Sequence, residues 1–197
     1  MNGLKEKCFW SSVTGFFVVC IAGTINHYLY GLSGRNPIIG MFTPVNESVW
    51  EHLKLLFFPY LAYILAEQLI YGRYIRGFLF SRAVGVICGM TVIPLLFYAY
   101  TVFTGRSLPP ADIMIFVISV MLSFTISFDR IVKRKDEAHG SAFAAIILLC
   151  GIAVLFFGMT FFPPSTILFQ PPVSRGRPAA GCRSRFAGTS ADAPLII

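Results

Sequence analysis

The chain has 197 residues, 56% hydrophobic and only 13% charged, with a net charge of +7. A soluble domain carries about 25% charged residues, so this composition excludes a water-covered globule and points to a core built in lipid. The basic residues sit between apolar runs and in a C-terminal tail instead of on one face, which makes the lipid bilayer the partner and speaks against nucleic acid.

The expected fold is an all-α integral membrane bundle, because a membrane-crossing helix needs about 20 mostly apolar residues and several stretches supply them. Residues 9–32 form the first span. This run is longer than the ~7–15 residues of a signal-peptide core, so it reads as a span and not as a cleaved leader. Residues 33–43 read as a greasy interfacial loop broken by Gly, Asn and Pro. Thr43 and Pro44 suggest the cap and first residue of the next helix. The second span is about 53–71, with Pro59 as a kink site. The third, about 77–103, contains Pro94 and a GVICG segment at 85–89 that would let another helix approach closely. The fourth and fifth spans are about 111–132 and 141–162, joined by a charged connector that includes His139.

One transmembrane domain therefore covers 1–169, and 170–197 is a Pro/Gly/Ser/Ala/Arg tail expected to be disordered. Five cysteines, Cys8, Cys20, Cys88, Cys150 and Cys182, are scattered without a CxxC pair. They suggest neither a zinc motif nor a disulfide framework.

Lys and Arg cluster on one side of this layout: Lys5, Lys7, Arg73, Arg76, Arg82, Arg130, Lys133, Arg134 and Lys135, against Arg35, Lys54 and Arg106. Cytoplasmic loops carry the excess. The expected localisation is a cell membrane, with the N-terminus cytoplasmic and the C-terminus outside. Arg175, Arg177, Arg183 and Arg185 in the tail run against this trend.

Charge, polarity and aromaticity crowd together at residues 44–55, PVNESVWEHLKL. On a helix starting at Pro44, Glu47, Glu51, Lys54 and Phe58 share one stripe, with Ser48, His52 and Leu55 on the next. His27, near the end of the first span, falls at a similar depth. Two carboxylates and two imidazoles within reach suit a divalent metal or an acid/base pair. The candidate metal ligands are thus His27, Glu47, Glu51 and His52, and the candidate catalytic groups are Glu47, Glu51 and His52.

A structural role accounts for the same residues. Acidic groups suit the first turn of a helix. Ser48 and Glu51 fit a capping box if the helix starts late. Glu51 and Lys54 can pair at i, i+3, and Trp50 suits a membrane interface. Neither HExxH nor GxSxG is present. Glu67 lies in the inner part of the second span, where a charge faces a partner or water; Arg73 or Arg130 is the expected partner. Asp112 suits a helix start, and Asp129 and Arg130 an interface pair.

His27-Tyr-Leu-Tyr30, Ser33-Gly34, Asn36, Gly40 and the PVNESVWEHLKL run resemble a family of small bacterial integral-membrane proteins catalogued as a domain of unknown function. The resemblance is specific over about 27–67 and continues as a similar span layout to about Phe169. It implies that His27, Asn46, Glu47, Ser48, Trp50, Glu51, His52 and Lys54 belong to the family's signature, and it supplies no activity. Family members finish soon after a segment like residues 167–169. The residues after about Pro172 are therefore expected to be a frameshifted or otherwise unselected extension.

The leading expectation is a membrane protein that binds a ligand, a lipid or a partner protein through its outer-face motif, without demonstrated catalysis. The lipid bilayer is the expected partner, and a membrane protein or a second copy a candidate one. One alternative is a membrane-embedded metal-dependent hydrolase, with a divalent metal as its cofactor. Another is a small transporter using Glu67 and the proline-containing spans.

Overall fold

The computed structural model describes residues 2–133 and 142–171. Most of the charged connector and the tail after Pro171 lie outside the described residues. The described chain is helical, with no strand: α1 Asn2–Leu32, α2 Pro37–Phe42, α3 Val49–Ile70, α4 Phe78–Thr104, α5 Pro109–Lys133 and α6 Ala142–Phe161. Five of these, all but α2, are long and apolar enough to cross a membrane. At 1.5 Å per residue, the 22 residues of α3 reach about 33 Å, enough for a hydrocarbon layer of ~30 Å.

Local sequence explains the helix ends. Asn36 Oδ1 accepts from Ile38 N at 2.9 Å and Pro37 stands at the first position, so α2 starts there. The expected interfacial loop thus contains a short helix, and Pro37 begins it instead of breaking it. Thr43 closes this helix: its backbone N–H bonds Ile39 O at 3.0 Å. It is therefore a C-cap, and α3 does not begin at Pro44. Ser48 caps α3 instead, its Oγ accepting from Glu51 N at 3.3 Å. Gly77 (φ 69°) and Gly105 (φ 66°) bracket α4 in the left-handed region that glycine tolerates best. Both α3 and α4 continue through their prolines, Pro59 and Pro94.

The helices α1, α3, α4 and α5 close a ring of contacts, α1 on α3, α3 on α4, α4 on α5 and α5 on α1; α6 packs on α4 and also touches α2 and α3. The α4–α5 seam is the tightest. Gly85 lies directly on the Ser123 carbonyl, and Gly89 on the Ser123 hydroxyl and the Ser119 carbonyl, where a Cβ would collide. The GVICG segment is thus an internal packing face. Polarity is arranged inside out. Ser119, Ser123, Ser127, Arg82, Glu67, Glu51 and Lys54 are buried, whereas Phe17, Ile25, Leu95, Phe103 and Val154 are exposed. Such an exterior suits lipid.

Candidate functional site

The motif is folded by three interlocking local interactions. Asn46 Oδ1 accepts from Ser48 N at 2.8 Å, forming an Asx turn just before the helix. Ser48 then caps α3. Glu51 does not complete the reciprocal capping box. Its Oε2 accepts from Val45 N at 3.0 Å and from Lys54 Nζ at 2.7 Å. These bonds fix the chain on both sides of Glu47 and leave that carboxylate in a loop, exposed.

The structure sorts the predicted residues into two groups. His27, Glu47 and His52 come together: Glu47 Oε2 lies 3.8 Å from His27 Nε2 and 3.5 Å from His52 Nε2. The two imidazole rings are 5.4 Å apart. Glu51, expected among the ligands and on one stripe with Glu47, points the other way. It is buried against Lys54, because α3 starts at Val49 and leaves Glu47 off the helix. Lys54 Nζ is itself buried and also donates to Gly40 O at 3.0 Å and to Thr160 Oγ1 at 2.6 Å. That clasp ties α2 and α6 to α3. Trp50, expected as an interface anchor, packs inward between Phe156 (5.0 Å) and Phe169 (4.9 Å).

The geometry of the trio matters chemically. One ligand atom from each residue can be chosen so that all lie within 4.8 Å of one another. His52 Nδ1 is 2.8 Å from Ser48 O. A carbonyl can only accept, so Nδ1 carries the hydrogen, and in the neutral ring the lone pair stands on Nε2, facing Glu47. Ligands about 2.0–2.1 Å from a tetrahedral zinc ion sit about 3.4 Å apart, close to the 3.5 and 3.8 Å from Glu47 to the two imidazoles, and the full trio, spread over as much as 4.8 Å, would draw in on binding. The trio comes from α1, the loop and α3; two of its members, His27 and Glu47, line an open cleft of about 620 Å³ together with Tyr28, Tyr30 and Arg35.

A second polar centre lies about 20 Å further along α3. Glu67 pairs with Arg82 at 2.6 Å, and both side chains are buried. Neither Arg73 nor Arg130 is its partner. Arg73 donates to Tyr74 OH, and Asp129 pairs with Lys133 at 2.8 Å instead of with Arg130. Glu67 Oε1 also accepts from Ser11 Oγ and Tyr71 OH, each at 2.6 Å. Arg82 donates to Ser127 Oγ at 2.9 Å. Burial and the bond to Glu67 push the Tyr71 hydroxyl well above the ordinary tyrosine range. Arg82 was missed as a core residue because it reads as the basic flank of a connector. The available signal was a lone cation inside an apolar run, with an unpaired Glu67 in the run before it. Asp112 does sit in the first turn of α5, where it accepts a hydrogen bond from Tyr100 OH.

No curated protein and no solved structure matches this chain. A family model, described as a family of unknown function (DUF6512), matches residues 2–177, a few residues past the expected start of the extension at Pro172. The match covers most of the chain, and the protein belongs to the DUF6512 family.

Proposed function

We propose that this protein binds a divalent transition metal at His27, Glu47 and His52, and through that metal holds a small polar ligand at the membrane surface. The observation that supports this most is the pair of Nε2 atoms converging on one carboxylate oxygen, with His52 held in the competent tautomer by Ser48 O. An imidazole whose other nitrogen donates to a backbone carbonyl is the usual arrangement of a metal-bound histidine. Two nitrogens and one oxygen suit zinc and its neighbours better than calcium or magnesium. Three protein ligands leave a position for water or ligand, and the cleft supplies the access. The Lys/Arg bias of the sequence supports an outward-facing position for this end of the bundle.

Elemental analysis of detergent-purified protein tests the reading. Wild type should carry about one metal per chain, as one trio of ligands implies, and His52→Ala and Glu47→Gln should carry little. Metal-free wild type after zinc dialysis would overturn it.

Metal-dependent hydrolysis is the second reading, favoured by the open coordination position, which is the mark of catalytic zinc sites. It loses Glu51 as a base, since that carboxylate is spent on Lys54 and Val45. The metal-bound water would act alone. Turnover of ester or amide substrates by zinc-loaded protein, absent in His52→Ala, would raise it above binding.

A further inference from the structure

The cleft beside the metal ligands has a charge pattern that identifies what it takes. His27, Glu47, Arg35, Tyr28, Tyr30 and Asn46 all line it. Arg35 lies in the turn after α1, three residues past its end at Leu32. It is held there by its own backbone N–H, which donates to Tyr30 O at 3.1 Å, with φ at 63°. Without a metal, the cleft holds one carboxylate and one guanidinium and no net charge. With a divalent ion on the trio it holds two positive charges. Leu32 and Ile38, three residues to either side of Arg35 in the chain, are 81% and 69% exposed.

We infer that the cleft binds a phosphate group, one oxygen on the metal and another on the Arg35 guanidinium. This deepens the proposed metal-dependent binding and rests on it. A phosphate offers several oxygens on one centre, so it can bridge two cations that a single-point anion cannot, and the guanidinium fork matches that geometry. Tyr28 and Tyr30 add hydroxyl donors at the same wall. A cleft at a bilayer surface meets phosphate in two forms, as a lipid headgroup and free in solution. The exposed Leu32 and Ile38 beside Arg35 would accept the acyl side of a lipid.

Cobalt-substituted protein tests this, because cobalt reports a new oxygen ligand through its visible absorption. Two probes are used: inorganic phosphate, and vesicles of phosphatidylcholine with and without phosphatidic acid. The expected result is a saturable spectral shift that Arg35→Gln moves to about tenfold higher concentration, the loss expected for one charge-assisted hydrogen bond. Cobalt content should be unchanged in that variant, and Arg35→Lys should fall between. A shift with inorganic phosphate assigns the phosphate as sufficient; a shift only with vesicles assigns a lipid, a phosphomonoester if phosphatidic acid is required and a phosphodiester if phosphatidylcholine suffices. Bound cobalt with no shift from either probe, or an equal shift in Arg35→Gln, would overturn this inference and leave metal binding standing. Protein that takes up no cobalt would overturn both.

Discussion

Glu51 and Lys54 form a 2.7 Å ion pair sealed inside the bundle, although both stand in the same short motif as the exposed Glu47. Lys54 donates to Glu51, Gly40 O and Thr160 Oγ1, so its three hydrogens each have an acceptor at 3.0 Å or less. The pair joins α2, α3 and α6. It sets the shape of the loop that presents Glu47.

Breaking this pair should be costly. Removing one partner of a buried ion pair typically costs about 3–5 kcal/mol, because the other charge stays buried alone. Lys54→Met is expected to lower stability by that order, and Glu51→Gln by less, since an amide still accepts from Val45 N–H. Unfolding in detergent measures both. Glu51→Gln should keep its metal wherever it is folded. A folded but metal-free Glu51→Gln would return Glu51 to the ligand set.

Much of this architecture is legible in the sequence. The five long helices follow from apolar length alone, and Ser48 as a cap follows from residue type. Thr43-Pro44 misleads for a physical reason. Both residues suit a helix start, but Thr43 already closes α2 and Asn46 makes its own turn, so nucleation waits until Ser48. That five-residue delay decides the site. It removes Glu47 from the helical stripe and turns Glu51 inward. The union of His27 with His52 needed the packing of α1 on α3, and the Glu67–Arg82 pair needed that of α3 on α4. Neither is a local property of the chain.

Glu67 and Arg82 invite a different comparison. A buried pair often stabilises less than apolar residues of the same size would. Glu67→Gln is expected to destabilise by about 3 kcal/mol or more, by leaving the buried Arg82 charge without a counter-ion among Phe78 and Phe124. Glu67→Leu combined with Arg82→Met should recover most of the loss. Thermal unfolding of Glu67→Leu, of Arg82→Met and of the double variant measures the coupling. A double variant as unstable as the singles would show that the pair's other bonds, to Ser11, Tyr71 and Ser127, carry the stability.

Tyr71 gives a pH dependence with a defined sign. Its folded pKa is raised, by burial first and by its bond to Glu67 second. The folded state therefore favours the neutral hydroxyl. The contribution is fully present below the ordinary tyrosine value of about 10 and fades as pH climbs from there toward the raised value. Tyr71→Phe should be less stable than wild type at neutral pH. The gap should narrow above about pH 10. A gap that widens with alkali would mean that Tyr71 ionises readily in the fold.

The α4–α5 seam predicts opposite outcomes for glycines of similar sequence context. At Gly89 an added Cβ would strike Ser123 Oγ, and it would lie 2.7 Å from Ser119 O, a backbone atom that cannot swing away. At Gly151 and Gly158, on α6, nothing lies within 4 Å. Overpacking of this kind typically costs about 1–3 kcal/mol. Gly89→Ala should therefore destabilise by that order, while Gly151→Ala and Gly158→Ala should be neutral or slightly stabilising, since alanine is the better helix former. Unfolding in detergent distinguishes them directly. An unaffected Gly89→Ala would mean that α4 and α5 can separate without loss. Ser119 and Ser123 would then not be fixed by contact with α4, and the ring that sets α1 against α3, and with it His27 against His52, would be looser than the packing implies.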